Sequence, residues 1–243
     1  MAETKEKIYG ALDWLIPSSL SCDWDNDGYM VQADGECRGI LLTLDVTAAA
    51  VDFAAENGLD VIISHHPLIF RPLKTVSDGR IIKCVRNGIA VMSFHTRLDA
   101  REPGVNDALA EKLRLSEVAA KGMLRTGNVP ELCLADFAMT VKERLGAPAV
   151  RYAGSRPVKR VAVLGGAGKD LVPEVIALGC DTYVTGEMGY NAVCDAADMG
   201  LNVIEAGHYY TERPVLGLLK SMISEIWPDI PVSVFESDPQ RSA

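Results

Sequence analysis

The sequence predicts an α/β fold made of two linked α/β domains, with mostly parallel or mixed sheets covered by helices. Short apolar runs alternate along the chain with helical patterns, and this alternation is typical of βαβ units. A second observation is a recurring turn, in which a helical pattern ends at a glycine that is followed two positions later by Asp or Asn and then by an apolar run. Such a turn returns the chain from a helix to the next strand.

The first half of the chain opens with a helix over residues 5–16, because Ile8 and Leu12 share one face and Pro17 ends the pattern. A polar, turn-rich stretch follows it. Thr47 is a suitable N-cap for the next helix, and Gly58 a suitable end. The predicted elements that follow are a strand over 39–44, a helix over 47–58, a strand over 60–64, a helix over 80–87, a strand over 89–94 and a helix over 103–113.

The second half repeats the alternation after an interruption. Residues 114–134 contain Gly122, Gly127 and Pro130 and break the pattern, which predicts a domain junction near residue 120. The first domain would then comprise residues 1–120 with about 207–243, and the second about 121–206. The elements predicted after the interruption are helices over 135–145, 171–178, 189–199 and 212–227, and strands over 158–164, 181–185, 201–206 and 231–235.

Charge and cysteine content narrow the functional classes. The net charge of −9 disfavours binding to a phosphate backbone, so nucleic acid is not an expected partner. The six cysteines form no CxxC pair, which favours a reducing compartment over a disulfide framework. The first ten residues lack an apolar stretch of signal-peptide type, and no apolar run reaches membrane-spanning length. We therefore expect a cytoplasmic protein with no membrane association.

The four histidines are the strongest chemical signal. All of them fall at predicted strand ends, and sites in open parallel sheets form beyond the carboxyl ends of strands. His95 has Asp99 four positions downstream and His208 has Glu212 at the same spacing, so that each pair shares a helix face if the segment is helical. Histidines clustered beside acids indicate a metal site more readily than four unrelated core histidines. Imidazole and carboxylate ligands together favour Zn, Fe, Mn or Co over Ca and Mg.

The adjacent pair His65 and His66 predicts two metal ions rather than one. Neighbouring residues on a strand point to opposite sides, so two such imidazoles are expected to serve different ions. Two divalent ions about 3.5–4 Å apart can activate a water and stabilise a leaving oxygen. If Asp99 completes the ligand count, His95 is left for general acid–base work.

The histidine motifs resemble those of the GTP cyclohydrolase I type 2 homologue family, also called Nif-three-like. The motifs are His65-His66-Pro-Leu-Ile-Phe, His95-Thr-x-x-Asp99 and Gly-His208-Tyr-x-x-Glu212, and Trp-Asp25-Asn26-Asp-Gly is similar to the family's N-terminal signature. The resemblance implies a dinuclear metal site between two α/β domains, often in a toroidal hexamer. By motif position it implies the ligands His65, His66, Asp99, His208 and Glu212. Where many members have a Tyr-His pair, this chain has Tyr190-Asn191.

Two functions remain open from the sequence. The first is a metal-dependent hydrolase acting on a nucleotide-like or other anionic small molecule, for which the family name suggests opening of the guanine ring of GTP. The second is a non-catalytic metal-binding or protein-interaction scaffold. For the hydrolase, His95 is the expected catalytic residue, and Asp25, Asn26 and Glu187 are the expected substrate contacts. The glycine-rich loop over 165–169 is compatible with a phosphate cradle or with a simple tight turn.

Overall fold

The structure is a computed structural model that describes residues 3–238 and 240. Packing divides the described chain into two units, which are treated separately below. The first unit comprises residues 3–101 and 216–238, and the second comprises 102–215 and 240. The strands are β1 (Gly28–Val31), β2 (Ile40–Thr43), β3 (Val61–Ser64), β4 (Ala90–Ser93), β5 (Ser116–Lys121), β6 (Leu124–Leu132), β7 (Arg151–Ala153), β8 (Val158–Ala167), β9 (Thr182–Glu187), β10 (Asn202–Glu205) and β11 (Val232–Val234).

The helices lie between these strands, in agreement with the predicted alternation. They are α1 (Lys5–Leu15), α2 (Ala48–Glu56), α3 (Gly79–Arg86), α4 (Thr96–Ala100), α5 (Val105–Lys112), α6 (Leu134–Leu145), α7 (Val172–Ala177), α8 (Tyr190–Asp198), α9 (His208–Glu212) and α10 (Pro214–Ile226). None of the helices in the described part of the chain has the length and apolarity needed to cross a bilayer.

The first unit contains, within its described residues, a five-stranded sheet in the order β1-β4-β3-β2-β11. Neighbouring strands are parallel except for β1, which runs antiparallel to β4 at the edge. The central strands are buried along their whole length, as expected for strands covered on both faces. Thr47 caps α2 by accepting a hydrogen bond from Ala50 N at 3.1 Å, as its position in the sequence predicts. The parallel register aligns Ser64 of β3 with Ser93 of β4, so both strands end at the same edge.

The second unit contains, in its described residues, a six-stranded sheet in the order β5-β6-β8-β9-β10-β7. Strands β8, β9 and β10 are parallel, whereas β5, β6 and β7 are joined by antiparallel pairing. Both sheets are therefore mixed, within the fold class that the sequence predicts. The apolar side chains of α6 pack on one face of this sheet, and those of α7 and α8 pack in a second buried cluster.

The structure replaces the predicted irregular stretch over 114–134 with the hairpin of β5 and β6. Strand β5 is exposed along its whole length, so it lacks the apolar alternation by which a strand is recognised. The packing units change at 101–102 and 215–216, whereas the sequence predicted junctions near 120 and 207. The helix predicted over 212–227 corresponds to α10, and the separate short helix α9 ends at Glu212 just before it, because Pro214 has no N–H to continue α9.

Candidate metal centre

Three histidines of the first unit meet at the shared end of β3 and β4. His65 and His66 follow β3 directly, and His95 lies two positions beyond β4. One ligand nitrogen from each of the three rings lies within 4.8 Å of the others. The parallel pairing of β3 with β4 brings these distant parts of the sequence together, as predicted for the carboxyl end of a parallel sheet.

The prediction that His65 and His66 point to opposite sides is wrong. Their ring centroids are 4.9 Å apart, and both rings face the ring of His95, at 5.3 and 5.6 Å. Strand β3 ends at Ser64, so the alternation of a strand does not extend to the two histidines. The Ser64 hydroxyl donates a hydrogen bond to His66 O at 2.8 Å, which holds the chain in a turn at this point.

The Nδ1 atom of each ring in this cluster lies beside an oxygen that can only accept a hydrogen bond. The oxygen is the main-chain carbonyl of Phe94 for His65, at 3.0 Å. It is a carboxylate oxygen for the other two rings: Asp45 for His66 and Asp25 for His95, both at 2.9 Å. Because these partners have no hydrogen to give, Nδ1 must carry the proton in each ring, and the lone pair lies on Nε2. Partners of this kind orient the metal-binding histidines of known metal sites.

Asp99 lies on α4, one turn after His95. Its Oδ1 is 3.6 Å from Nε2 of His65, and its side chain is 14% exposed. Ligand atoms of a tetrahedral site with metal–ligand distances near 2.0–2.1 Å are separated by about 3.3 Å. The spacing of these two atoms is close to that value, so this donor set fits a transition-metal ion.

The turn-rich segment over 22–28 holds the His95 segment in place through two carboxylates. Asp25 accepts hydrogen bonds from Thr96 N at 3.0 Å and from the Thr96 hydroxyl at 2.6 Å, in addition to its contact with His95. Asp27 pairs with the buried guanidinium of Arg97 at 3.0 Å. Asp25 and Asp27 therefore fix the position of the residues that follow β4.

The electrostatics of His95 and Asp25 are set by burial and by their mutual contact. Burial and the neighbouring imidazole of His65 lower the pKa of His95 below its ordinary value, although Asp25 acts in the opposite direction. Burial acts to raise the pKa of Asp25, but hydrogen bonds from His95 and Thr96 outweigh it and bring the pKa below the ordinary value. The pair therefore consists of a neutral imidazole and a carboxylate near neutral pH.

The second unit carries a separate histidine–carboxylate cluster on the short helix α9. His208 Nδ1 lies 3.0 Å from Glu187 Oε1 at the end of β9, so Nδ1 of this ring also carries a proton. His208 Nε2 lies 3.1 Å from Glu212 Oε1, one helical turn away. Glu212 is almost fully buried, whereas the side chain of His208 is partly exposed. The four-residue spacing thus places both groups on one helix face, as the sequence predicts.

Glycines at the end of β8 and β9 allow α9 to approach the sheet. A Cβ atom at Gly166 would collide with Oε1 of Glu212 and lie 3.1 Å from His208 Nε2, and one at Gly186 would lie 2.8 Å from the Cα of His208. Gly166 also has a φ of +69°, a conformation that favours glycine. The glycines therefore shape the surface against which the two ligand candidates rest.

The glycine-rich loop is not built as a phosphate cradle. Its amide groups already donate within the protein: Gly165 N to Asn106 Oδ1 at 2.7 Å, and Gly166 N to Thr211 Oγ1 at 3.1 Å. Gly168 N donates to Glu187 O at 3.0 Å. The structure favours the tight-turn alternative, in which the glycines serve close packing.

The predicted substrate contacts Asp25 and Glu187 both lie against a histidine Nδ1. Asn26 is exposed, and its amide donates to Ile69 O at 2.5 Å. Asn191 is exposed near the start of α8. Asp45 was missed in the sequence, although it follows β2 at the same sheet edge as the histidines, which is the signal that could have found it.

Two α/β units that each carry a histidine–carboxylate cluster at the end of their strands define a protein with sites suited to metal ions. Residues 4–241 match the Duf34/NIF3 (NGG1p interacting factor 3) family model, and the chain belongs to this family. It is 36% identical to a protein of Clostridium acetobutylicum over 82% of both chains, and 32% identical to one of Clostridium perfringens over 90% of both chains. Each of these relatives is called "GTP cyclohydrolase 1 type 2 homolog". A crystal structure of a Staphylococcus aureus hypothetical protein matches all of this chain with a TM-score of 0.94 and 26% identity.

Proposed function

We propose that this protein is a dinuclear metal-dependent hydrolase that acts on a nucleotide-like or other anionic small molecule. The observation that carries the proposal is common to all four histidines: each Nδ1 lies beside an acceptor-only oxygen, which places a proton on Nδ1 and makes Nε2 the atom that would bind a metal ion or exchange a proton. One such arrangement occurs in many proteins for structural reasons. Four of them, in a chain that has only four histidines, favour a set of nitrogens prepared for metal ions or proton transfer.

The ligands in this proposal are those that the family resemblance implies: His65, His66, Asp99, His208 and Glu212. The close approach of carboxylate oxygen to Nε2 in the pairs His65–Asp99 and His208–Glu212 supports this assignment. Imidazole nitrogen with carboxylate oxygen suits Zn, Fe, Mn or Co. Two bound ions of this kind would supply Lewis-acid polarisation of the substrate and promote the ionisation of water.

His95 is proposed as the residue that moves protons. Asp25 holds its Nδ1–H, so Nε2 can accept a proton from an attacking water and return it to the leaving atom. The carboxylate of Asp25 stabilises the imidazolium that exists between these two transfers.

The test combines elemental analysis with an activity screen over GTP, other nucleotides and phosphoesters, in the presence of Zn, Mn, Fe or Co. We expect two ions per chain in the wild type. Because Glu212 has two carboxylate oxygens, it would be able to hold both ions, and we expect Glu212→Ala to lose both. We expect Asp99→Ala to weaken mainly one. His95→Ala should keep its metals and lose about 10²–10⁴-fold in turnover.

Three outcomes contradict parts of this proposal. A stoichiometry of one ion or less after reconstitution would remove the dinuclear site. Loss of metal from His95→Ala would make His95 a ligand, a role that its place in the cluster with His65 and His66 also permits. A fully metallated wild type that turns over nothing would favour the metal-binding or protein-interaction scaffold.

We also propose that the protein is a homo-oligomer, with a hexamer expected from the family resemblance, and that it works in the cytoplasm. The six cysteines are present as free thiols, which supports a reducing compartment. Light scattering on a sizing column at micromolar concentration tests the assembly, and a monomer there would contradict it.

A further inference from the structure

The aromatic side chains beside His95 form an exposed surface that the proposed proton transfer does not use. Trp24 is 63% exposed and Phe70 is 45% exposed, which is unusual for side chains of this size. Both belong to the first unit and lie close in the sequence to residues of the site: Trp24 precedes Asp25, and Phe70 lies four positions after His66.

The two rings contact each other and the imidazole of His95. Their centroids are 6.1 Å apart, and they lie 6.1 Å and 6.5 Å from the centroid of His95. Both meet the imidazole edge to face, with interplanar angles of 75° and 81°. A single exposed aromatic residue is ordinary surface, but these two both lie beside the imidazole of His95.

The loops that carry the two rings are tied together. The amide of Asn26 donates to Ile69 O, which joins the residue two positions after Trp24 to the residue before Phe70. The ring of His95 is in turn held by Asp25 at 2.9 Å. The first hydrogen bond links the loops of Trp24 and Phe70, and the second holds His95 against the residue that follows Trp24. Together they restrict how the three rings are placed relative to one another.

We propose that Trp24 and Phe70 are a stacking wall for the planar base of the substrate, and that the substrate class is therefore a nucleotide rather than a simple phosphoester. The inference deepens the proposed function and depends on it for the location of the chemistry. Aromatic side chains bind every nucleobase through its π-face. A base on this wall would lie against His95, next to the group that is proposed to move protons. A phosphoester without an aromatic base would make no stacking contact with these two rings.

The test is an equilibrium binding measurement on the metal-reconstituted full chain by isothermal titration calorimetry. The probes are guanosine 5′-monophosphate and ribose 5-phosphate, which share the sugar phosphate and differ in the base. We expect the guanosine probe to bind at least about tenfold more tightly, because stacking on aromatic side chains has effects of that order. Trp24→Leu and Phe70→Leu should each weaken it about five- to one-hundredfold and leave ribose 5-phosphate unchanged.

Two further variants serve as controls. Trp24→Phe keeps a ring and should retain most of the affinity for the guanosine probe, which separates stacking from a folding defect. Trp14→Leu removes the tryptophan of α1, which at 80% is more exposed than Trp24, and should change the affinity for neither probe. All variants should keep the metal content of the wild type.

Equal binding of the two probes, no binding of either, or unchanged affinity in Trp24→Leu and Phe70→Leu would each overturn the inference. So would a change of oligomeric state in Trp24→Leu with unaltered nucleotide affinity, since the pair would then be a subunit contact. These outcomes are distinct from failure of the proposed function. Hydrolysis of a nucleotide that Trp24→Leu leaves unchanged removes the stacking wall alone, and base-dependent binding without any turnover removes the hydrolase alone.

Discussion

His95 Nδ1 lies 2.9 Å from Asp25 Oδ1, although the two residues are 70 positions apart in the chain. The carboxylate also binds the amide and the hydroxyl of Thr96, so it grips the residue after the histidine as well as its ring. Asp25 is therefore a positioning residue for the imidazole. This role requires both carboxylate oxygens of Asp25 to accept hydrogen bonds, one from His95 and the other from Thr96.

We expect Asp25→Asn to lower kcat by about 10²–10⁴-fold, with little change in KM. An amide can present its NH₂ group to Nδ1, which would move the imidazole proton to Nε2 and remove the lone pair needed there. Steady-state kinetics with elemental analysis measures both effects. Asp23→Asn, an exposed change in the same loop, is the matched control. An unchanged kcat in Asp25→Asn would show that the contact only stabilises the fold.

Asp45 should be important for metal affinity, because its Oδ1 holds Nδ1 of His66 at 2.9 Å. We expect Asp45→Asn to weaken metal binding by about 10–100-fold, as is usual when the partner of a ligating histidine is changed. Competition with a chelator of known affinity gives the measurement. Asp52→Asn is a suitable control, since the Asp52 side chain is 49% exposed, close to the 47% of Asp45, and pairs with Lys83 instead. Equal affinities in the two variants would refute the role of Asp45.

Gly166→Ala tests the packing of α9 against the sheet. The new methyl group would collide with Glu212 and crowd His208, in addition to the strain of a φ of +69°. Gly179 has a φ of +71°, and a methyl group added there would meet nothing within 4 Å, so Gly179→Ala carries the strain without the collision. We expect Gly179→Ala to lose about 1 kcal/mol of unfolding free energy from strain alone, and Gly166→Ala to lose more because of the collision. Only Gly166→Ala should lose metal as well. Thermal unfolding and elemental analysis measure the two quantities. Full metal occupancy in Gly166→Ala would contradict the close approach.

The buried thiols should be unreactive at mildly alkaline pH. Burial raises the pKa of Cys37 and of Cys84 to about 11, so about one molecule in a thousand carries the thiolate at pH 8. We expect iodoacetamide to modify the exposed Cys133 first, as measured by peptide mapping of the native protein. Rapid modification of Cys84 at pH 8 would disagree with its burial.

Because the pKa values of Cys37 and Cys84 are raised, the free energy of unfolding should depend on pH in the alkaline range. A thiol whose pKa is higher in the folded state than its ordinary value of 9.0 stabilises the fold below that value. The contribution of Cys37 and Cys84 should therefore be complete below about pH 9 and decline as the pH rises toward 11. Urea titrations at several pH values, with Cys84→Ala as comparison, measure this slope.

Most helices and core strands were predictable because their apolar residues recur with the period of the element. Helix α2 has its N-cap and its terminal glycine in the sequence, and β3 is a short apolar run. Strand β5 was not predictable in this way, because all of its residues are exposed and no face is apolar. The short helix α4 was missed because its form depends on Arg97, which is anchored by Asp13 and Asp27 from elsewhere in the chain.

The sequence by itself determined the α/β fold, the family motifs and the grouping of histidines with acids, because these depend on residue type and on short spacings. Only the tertiary structure decided which oxygens hold Nδ1 of His66 and His95, since Asp45 and Asp25 lie 21 and 70 positions away. It also decided that His65 and His66 face the same cluster, because the strand ends one residue before them. Local spacing specifies which side chains share a helix or strand, whereas the pairing of parallel strands specifies which distant side chains meet.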